Sequence, residues 1–279
     1  MSKDNFGDRI KFFEAIETGQ RFIPTLPIVV RLDGRSFSSF TRGMDKPFDV
    51  RMTRAMVDTT KALVEETGAV IGYTQSDEIT LVISSDSFDS QVWFDGKKHK
   101  MISCLASLCS VVFYREIAKA FPDKVNNQIP TFDCRAFNVP SKVEAANAVL
   151  WREMDATKNA ISSATRCYYS TSEMEGKNGK VKQEMLFARG VNFNDYPAFF
   201  KRGTFIQRRR TFRCFAQEEI DRLPARHEAR LNPSLAIERT GVLELDMPSF
   251  VTVLNRVEVV FDGADPITLQ AMDIQPDEV

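Results

Sequence analysis

Two apolar runs of strand length, Ala69 to Gln75 and Ile79 to Ser84, are separated only by Ser76-Asp77-Glu78. So short a polar link predicts a hairpin, although no Asn-Gly or Asp-Gly fixes its turn type. Upstream, Met52, Ala55, Met56, Thr59, Ala62 and Leu63 recur at helical spacing between Val50 and Thr67, and Gly68 ends the pattern. PIVVRLDG, ending at Gly34, reads as a buried strand before that helix. Downstream, a helix from about Lys98 to Ala120 turns Ile102, Leu105, Leu108, Val112 and Ile117 inward. IPTFDCRAFNVP, bounded by Pro130 and Pro140, supplies another strand. Strand, helix, hairpin, helix, strand is a βαββαβ unit, the palm-like arrangement in which helices cover one sheet face. The fold class expected is therefore α/β of the α+β kind, with further helical and C-terminal elements around that core.

The flanks are less constrained. Residues 8 to 17, DRIKFFEAIE, predict a short helix, and Ser141 with Glu144 has the pattern of a capping box opening another. Residues 150 to 220 read as more helical and polar. LELDM and VEVVF are strand candidates in the tail. The expected division is a palm-like core over 1–140 and a helical region with a C-terminal extension over 141–279, packed on the palm.

Composition narrows the partners. The 279 residues carry 37 basic and 38 acidic side chains, a formal charge of -1. Lys201, Arg202, Arg208, Arg209, Arg210 and Arg213 crowd one region, whereas 5 basic and 10 acidic residues follow from Arg222 onward. A local basic surface on a near-neutral chain suits a nucleic acid or polyphosphate, and equally a solvated face. Five scattered cysteines without a CxxC pair, and only His99 and His227, argue against a structural zinc site. The odd cysteine count, with no targeting segment near Met1, predicts reduced thiols and a cytoplasmic location. The longest apolar runs read as too short to span a bilayer, so no membrane partner is expected.

Asp33 and Asp77 fall at strand ends. Acidic residues there often cap loops or face water. They can also converge to hold hard divalent cations, since Mg²⁺ recruits few protein oxygens and leaves the rest to phosphate and water. Gly34 allows close backbone approach, so a carbonyl can add a ligand. Glu78 is the weaker candidate, because alternation turns it away from Asp77. Lys46 precedes Pro47 in the loop before the first long helix, and Lys97 and Lys100 open the second. With a metal pair, such lysines suggest a triphosphate.

VVRLDGRSF (29–37), KPFD (46–49), YTQSDEITLVI (73–83), FDCR (132–135) and VNFNDYPAFFKRGTF (191–205) occur in the order of the tRNA-His guanylyltransferase family. The chain resembles that family, including its guanylyltransferase-like reverse-direction RNA polymerases. The resemblance implies a polymerase/cyclase-like palm with two Mg²⁺ ions, ATP and GTP or other nucleoside triphosphates as substrates, and tRNA as partner. It implies Asp33 and Asp77 as catalytic metal ligands, the Gly34 carbonyl as a further ligand, and Glu78 as completing the acidic motif. Arg35, Ser36, Phe37, Lys46, Ser76, Lys97 and Lys100 are implied at the nucleotide. Asn159, Lys201, Arg202, Arg208, Arg209 and Arg210 are candidates for RNA contact, and a homotetramer is implied. In the family, ATP adenylylates a tRNA 5′-monophosphate, and the 3′-hydroxyl of an incoming nucleotide displaces AMP.

One segment departs from the pattern. Where eukaryotic members carry HINNLYN, this chain has Thr157 for the histidine, Ala160 for the second asparagine, and Ser162-Ser163 for the tyrosine-asparagine pair; Asn159 survives. Ser38 stands where many members have histidine. The departure favours template-dependent repair of 5′-truncated tRNA over dedicated guanylate addition to tRNA-His. A palm-domain nucleotide cyclase and a non-catalytic RNA-binding module are the rival classes.

Overall fold

The computed structural model describes residues 5–90, 92–232 and 234–269. In chain order the elements are α1 (Asn5–Thr18), β1 (Ile28–Gly34), α2 (Phe37–Phe40), α3 (Val50–Thr67), β2 (Ile71–Gln75), β3 (Glu78–Ile83), α4 (Lys98–Ala118), α5 (Pro122–Asn127) and β4 (Phe132–Asn138). Then come α6 (Lys142–Arg166), α7 (Thr171–Met174), α8 (Gly179–Ala188), α9 (Ala198–Arg202), β5 (Thr204–Cys214), α10 (Gln217–Arg222), α11 (Glu228–Leu231), β6 (Ala236–Leu245) and α12 (Arg256–Asp262).

The sheet order is β4-β1-β3-β2-β5-β6, and its strand pairings are antiparallel. Its first four strands, with α3 and α4, are the expected βαββαβ palm. The β2–β3 turn is the two-residue link Ser76-Asp77, closed by the Gln75–Glu78 pair, with Ser76 at φ 56°. That left-handed backbone does the work usually given to glycine.

Strand alternation sorts side chains to two faces. Val30 and Leu32 enter the larger core with Met52, Met56 and Leu63 of α3 and Met101, Leu105 and Phe113 of α4. Val29, Val82, Ile71 and Tyr73 turn to the other face, where Val149 and Ala156 of α6 meet Phe250, Val259 and Val260. Both faces are thus covered, where the sequence implied one. In α4, Met101, Cys109 and Phe113 are fully buried, whereas Ile102 and Leu108 are only half so. By length and composition α4 could cross a membrane, but its buried stripe packs into the core between α3 and β4.

Three readings change. TFIQRRRTFRC forms the eleven-residue β5, not helix: alternate residues Phe205 and Gln207 are buried while Arg208 and Arg210 lie outward. β5 and β6 continue the palm sheet, so the sheet itself crosses the expected division at residue 140. VEVVF lies in helix α12, with Val259 and Val260 buried. The buried Gln207 amide donates to the Val259 and Val260 carbonyls at 2.9 and 3.1 Å, satisfying groups left open at the helix end. Ser141 does cap α6, its hydroxyl accepting from the Glu144 N–H at 3.2 Å.

Candidate active site

The β2–β3 turn and the end of β1 meet through one backbone bond. The Gly34 N–H donates to the Asp77 carbonyl at 3.0 Å, which fixes Asp77 beside Asp33. Gly34 is required by packing rather than by φ. A Cβ there would lie 2.4 Å from the Phe37 ring. Phe37 is 3% exposed and packs against Phe40, Phe113 and Phe132. It therefore supports the site from the core instead of lining it. Arg35 and Ser36, next to Gly34, are exposed.

Register places Asp33 opposite both Glu78 and Asp133, and directly opposite residues share a face. Three carboxylates thus stand in a row across β4, β1 and β3 on the side of α6. Glu78 is held by two guanidiniums: Arg31 donates to it at 2.7 Å, and Arg152 of α6 donates to its other oxygen. Arg31 also reaches Asp33 at 3.3 Å. Glu78 is thus engaged in ion pairs, and its geometry gives it the task of fixing Arg31 and Arg152. Burial raises the Asp77 carboxyl above its ordinary range, partly offset by the Ser76 hydroxyl, with Asp33 and Glu78 adding repulsion.

Among the described residues, no group of three or more His, Cys, Asp or Glu side chains forms a metal cluster. Two carboxylates and a nearby backbone carbonyl nonetheless match the sparse oxygen set that Mg²⁺ takes from protein when phosphate supplies the rest. Burial is the main cause of the raised Asp77 carboxyl, and a cation would relieve the repulsion that Asp33 and Glu78 add to it. The donor set fits.

Beside the turn lies a cavity of about 160 Å³ lined by Lys46, Gln75, Ser76, Ser163, Phe199, Phe200 and Thr204, among others. Asp49 is part of its lining: it is 5% exposed, caps α3 through the Arg51 N–H at 2.9 Å, and accepts from the Asp45 N–H at 3.2 Å. The Arg51 guanidinium beside it lowers its carboxyl to about 2. Phe48 packs on Phe200 and Phe199, with centroids 4.9 and 5.1 Å away. Ser163 donates to the Pro47 carbonyl at 3.3 Å, so the segment that departs from HINNLYN forms part of this wall. Lys182 donates to the adjacent Ser162 hydroxyl at 3.0 Å.

Other candidates lie elsewhere. Lys97 and Lys100 sit at the Ile28 end of the sheet, since the Phe22 N–H donates to the Gly96 carbonyl and Ile23 bonds Asn138, the register partner of Ile28. The seven residues of β1 put roughly 20 Å between them and Asp33. Within one chain they do not join the carboxylates. Arg208, Arg209 and Arg210 also run away from the carboxylate end, because Thr204 pairs with Thr74 and later residues of β5 extend past Ile71. They pair with Glu65 at 3.6 Å, Asp265 at 2.8 Å and Glu238 at 3.3 Å. Lys201 donates to the Asn194 carbonyl, and Arg202 is 4.0 Å from the buried Glu153. Asn159 is exposed and donates to Asp155 at 3.4 Å.

The sequence did not single out Arg31, Arg152, Phe48, Phe199 or Phe200, and it marked Ser163 only as a departure from HINNLYN. Arg31 had a signal, lying two residues before Asp33 and hence on its face. Phe199 and Phe200 sat in a stretch valued for its basic residues. Arg152 and Ser163 meet the site only through the placement of α6.

A palm sheet with paired carboxylates at its strand ends, beside a cavity with a lysine at its rim, defines a palm-type nucleotidyltransferase. The family model described as Thg1, tRNAHis guanylyltransferase, matches residues 7–140. A bacterial tRNA(His) guanylyltransferase (Thg1)-like protein in complex with ATP is 35% identical, with a TM-score of 0.69 over 74% of this chain and 87% of that one. A bacterial Thg1-like protein in complex with GTP aligns over 93% and 98% at 27% identity and a TM-score of 0.67. The tRNA(His) guanylyltransferase of Saccharomyces cerevisiae is 28% identical over 226 residues, 75% of this chain and 92% of that one. The chain belongs to the tRNA-His guanylyltransferase (Thg1) family.

Proposed function

We propose that this protein adds nucleotides to the 5′ end of tRNA, each chosen by pairing with the opposing base, and so rebuilds 5′-truncated tRNA. ATP activates the 5′-monophosphate, and the 3′-hydroxyl of an incoming nucleoside triphosphate attacks the activated end and releases AMP. The observation that carries the reading is the meeting of Asp33, Asp77 and the Gly34 backbone beside the cavity rimmed by Lys46 and Ser76. Two magnesium ions, when held there by Asp33, Asp77 and the Gly34 carbonyl, supply positive charge to the attacking and departing oxygens.

The chain's own residues bind and orient. The Ser76 hydroxyl favours the ionised form of Asp77, and Arg31 ties Asp33 to Glu78. Lys46 offsets polyphosphate charge at the cavity rim, while Phe48, Phe199 and Phe200 form the apolar wall that excludes water. Template choice is favoured by the Ser162-Ser163 departure, because the wall that differs from the HINNLYN pattern is part of this same cavity. Guanylate addition to tRNA-His is the second reading, favoured by the similarity to the yeast tRNA(His) guanylyltransferase. The active form is proposed to be a homotetramer.

The test supplies a 5′-monophosphorylated tRNA lacking its first nucleotide, with ATP and each nucleoside triphosphate. Extension at the 5′ end is expected. Cyclic nucleotide made without RNA would favour a cyclase. RNA binding without product, unchanged in Asp33→Ala, would make the chain a binding module.

A further inference from the structure

The proposed reaction needs a place for the RNA end beside the cavity proposed for the nucleotide. Trp151 lies outside that lining and is 56% exposed at the middle of α6. A half-exposed indole offers a broad flat face on which a base can stack. One guanidinium ties it to the carboxylates. The Arg152 Cζ lies 4.5 Å from the centroid of the indole, while Arg152 also donates to Glu78, the register partner of Asp33. Arg152 is only 8% exposed, so this link is fixed by packing.

The same face of the sheet continues outward on β4. Phe137 is 48% exposed, and Arg135 and Asp133 stand opposite Arg31 and Asp33. Aromatic, guanidinium and carboxylate groups therefore follow one another toward the strand ends. That order matches a base, a backbone phosphate and a reacting 5′ phosphate. A second copy of this chain would leave the link through Arg152 to Glu78 without a task, whereas an RNA end brought to the carboxylates uses it.

We propose that Trp151 is the stacking platform for the terminal base of the RNA whose 5′ end is extended; this rests on the reaction proposed above. Base–aromatic stacking tolerates any sequence, as template-directed extension of varied tRNAs requires.

The chain has 2 tryptophans, so a Trp93→Phe background isolates Trp151 emission. The probe is a 5′-monophosphorylated RNA hairpin of acceptor-stem length. RNA should quench Trp151, and neither ATP nor GTP alone should do so. Trp151→Ala should raise the KM for RNA about ten-fold with the KM for ATP unchanged, and Trp151→Phe should restore most of it. Equal RNA KM in Trp151→Ala and wild type, with both extending, overturns the platform and leaves the proposed reaction standing. Quenching by ATP or GTP alone also overturns it, as does a fall in sedimentation mass in Trp151→Ala without a change in RNA affinity. Should wild type extend no RNA, the proposed reaction fails, and the quenching titration still decides whether Trp151 meets RNA.

Discussion

Asp49 shows how closely stability and site are joined in single side chains. It caps α3, pairs with Arg51 at 2.6 Å and anchors the loop that carries Lys46. Its folded carboxyl titrates at about 2, below its ordinary 3.8. The stabilisation it gives is therefore complete above about pH 4 and is lost as pH falls through about 2. Asp49→Ala should cost ~1 kcal/mol at neutral pH in denaturant unfolding, and Asp49→Asn should flatten the acid limb of stability between those values. Asp33→Ala and Asp77→Ala should keep the fold and abolish both adenylylation and extension. Wild-type rates in either would remove them from the chemistry. Both aspartates were legible in the sequence because strand ends followed by Gly34 or a tight turn are identifiable locally. The place of Phe37 was not: only the folded chain puts its ring under Gly34, turning a motif residue into core.

At the scale of elements, the junction of α9 and β5 is the most exacting. Gly203 has φ 77° and ψ -169°, a region essentially confined to glycine. A Cβ there would meet the Tyr73 hydroxyl at 2.5 Å and the Thr74 carbonyl at 2.6 Å. Gly203→Ala should cost at least ~2 kcal/mol in denaturant unfolding and weaken ATP binding, because the junction positions Phe199 and Phe200. The hairpin and the long helices were readable from apolar periodicity. VEVVF was not, since its β-branched valines favour a strand locally, while burial against α6 and Gln207 selects a helix. Nor could spacing show that β5 carries its arginines away from the carboxylates. Arg209 is bound into the C-terminal segment by Gln207, Asp265 and the Ala264 carbonyl. Arg208 and Arg210 are held by exposed ion pairs that phosphate can displace at little cost. Replacing both with glutamine should lower tRNA affinity and reduce its salt slope by about two. Unchanged affinity and slope would make that strand a solvated arm.

Across the described residues, six strands form one sheet whose carboxylate end carries the proposed chemistry, with the cavity proposed for the nucleotide beside the β2–β3 turn and α6 spanning the second face. α6 joins the parts: Arg152 reaches Glu78, Ser163 walls the cavity, and Trp151 stays open to solvent. On the proposed reading, changes in this one helical segment alter the choice of nucleotide without touching Asp33 or Asp77. The most direct measurement uses tRNAs lacking the first nucleotide that differ only in the base opposite the gap. Each is given ATP and one nucleoside triphosphate at a time, and the new 5′ ends are sequenced. The account predicts that the added nucleotide follows complementarity in several tRNA species. Guanylate added only to tRNA-His, whatever base lies opposite, would contradict it.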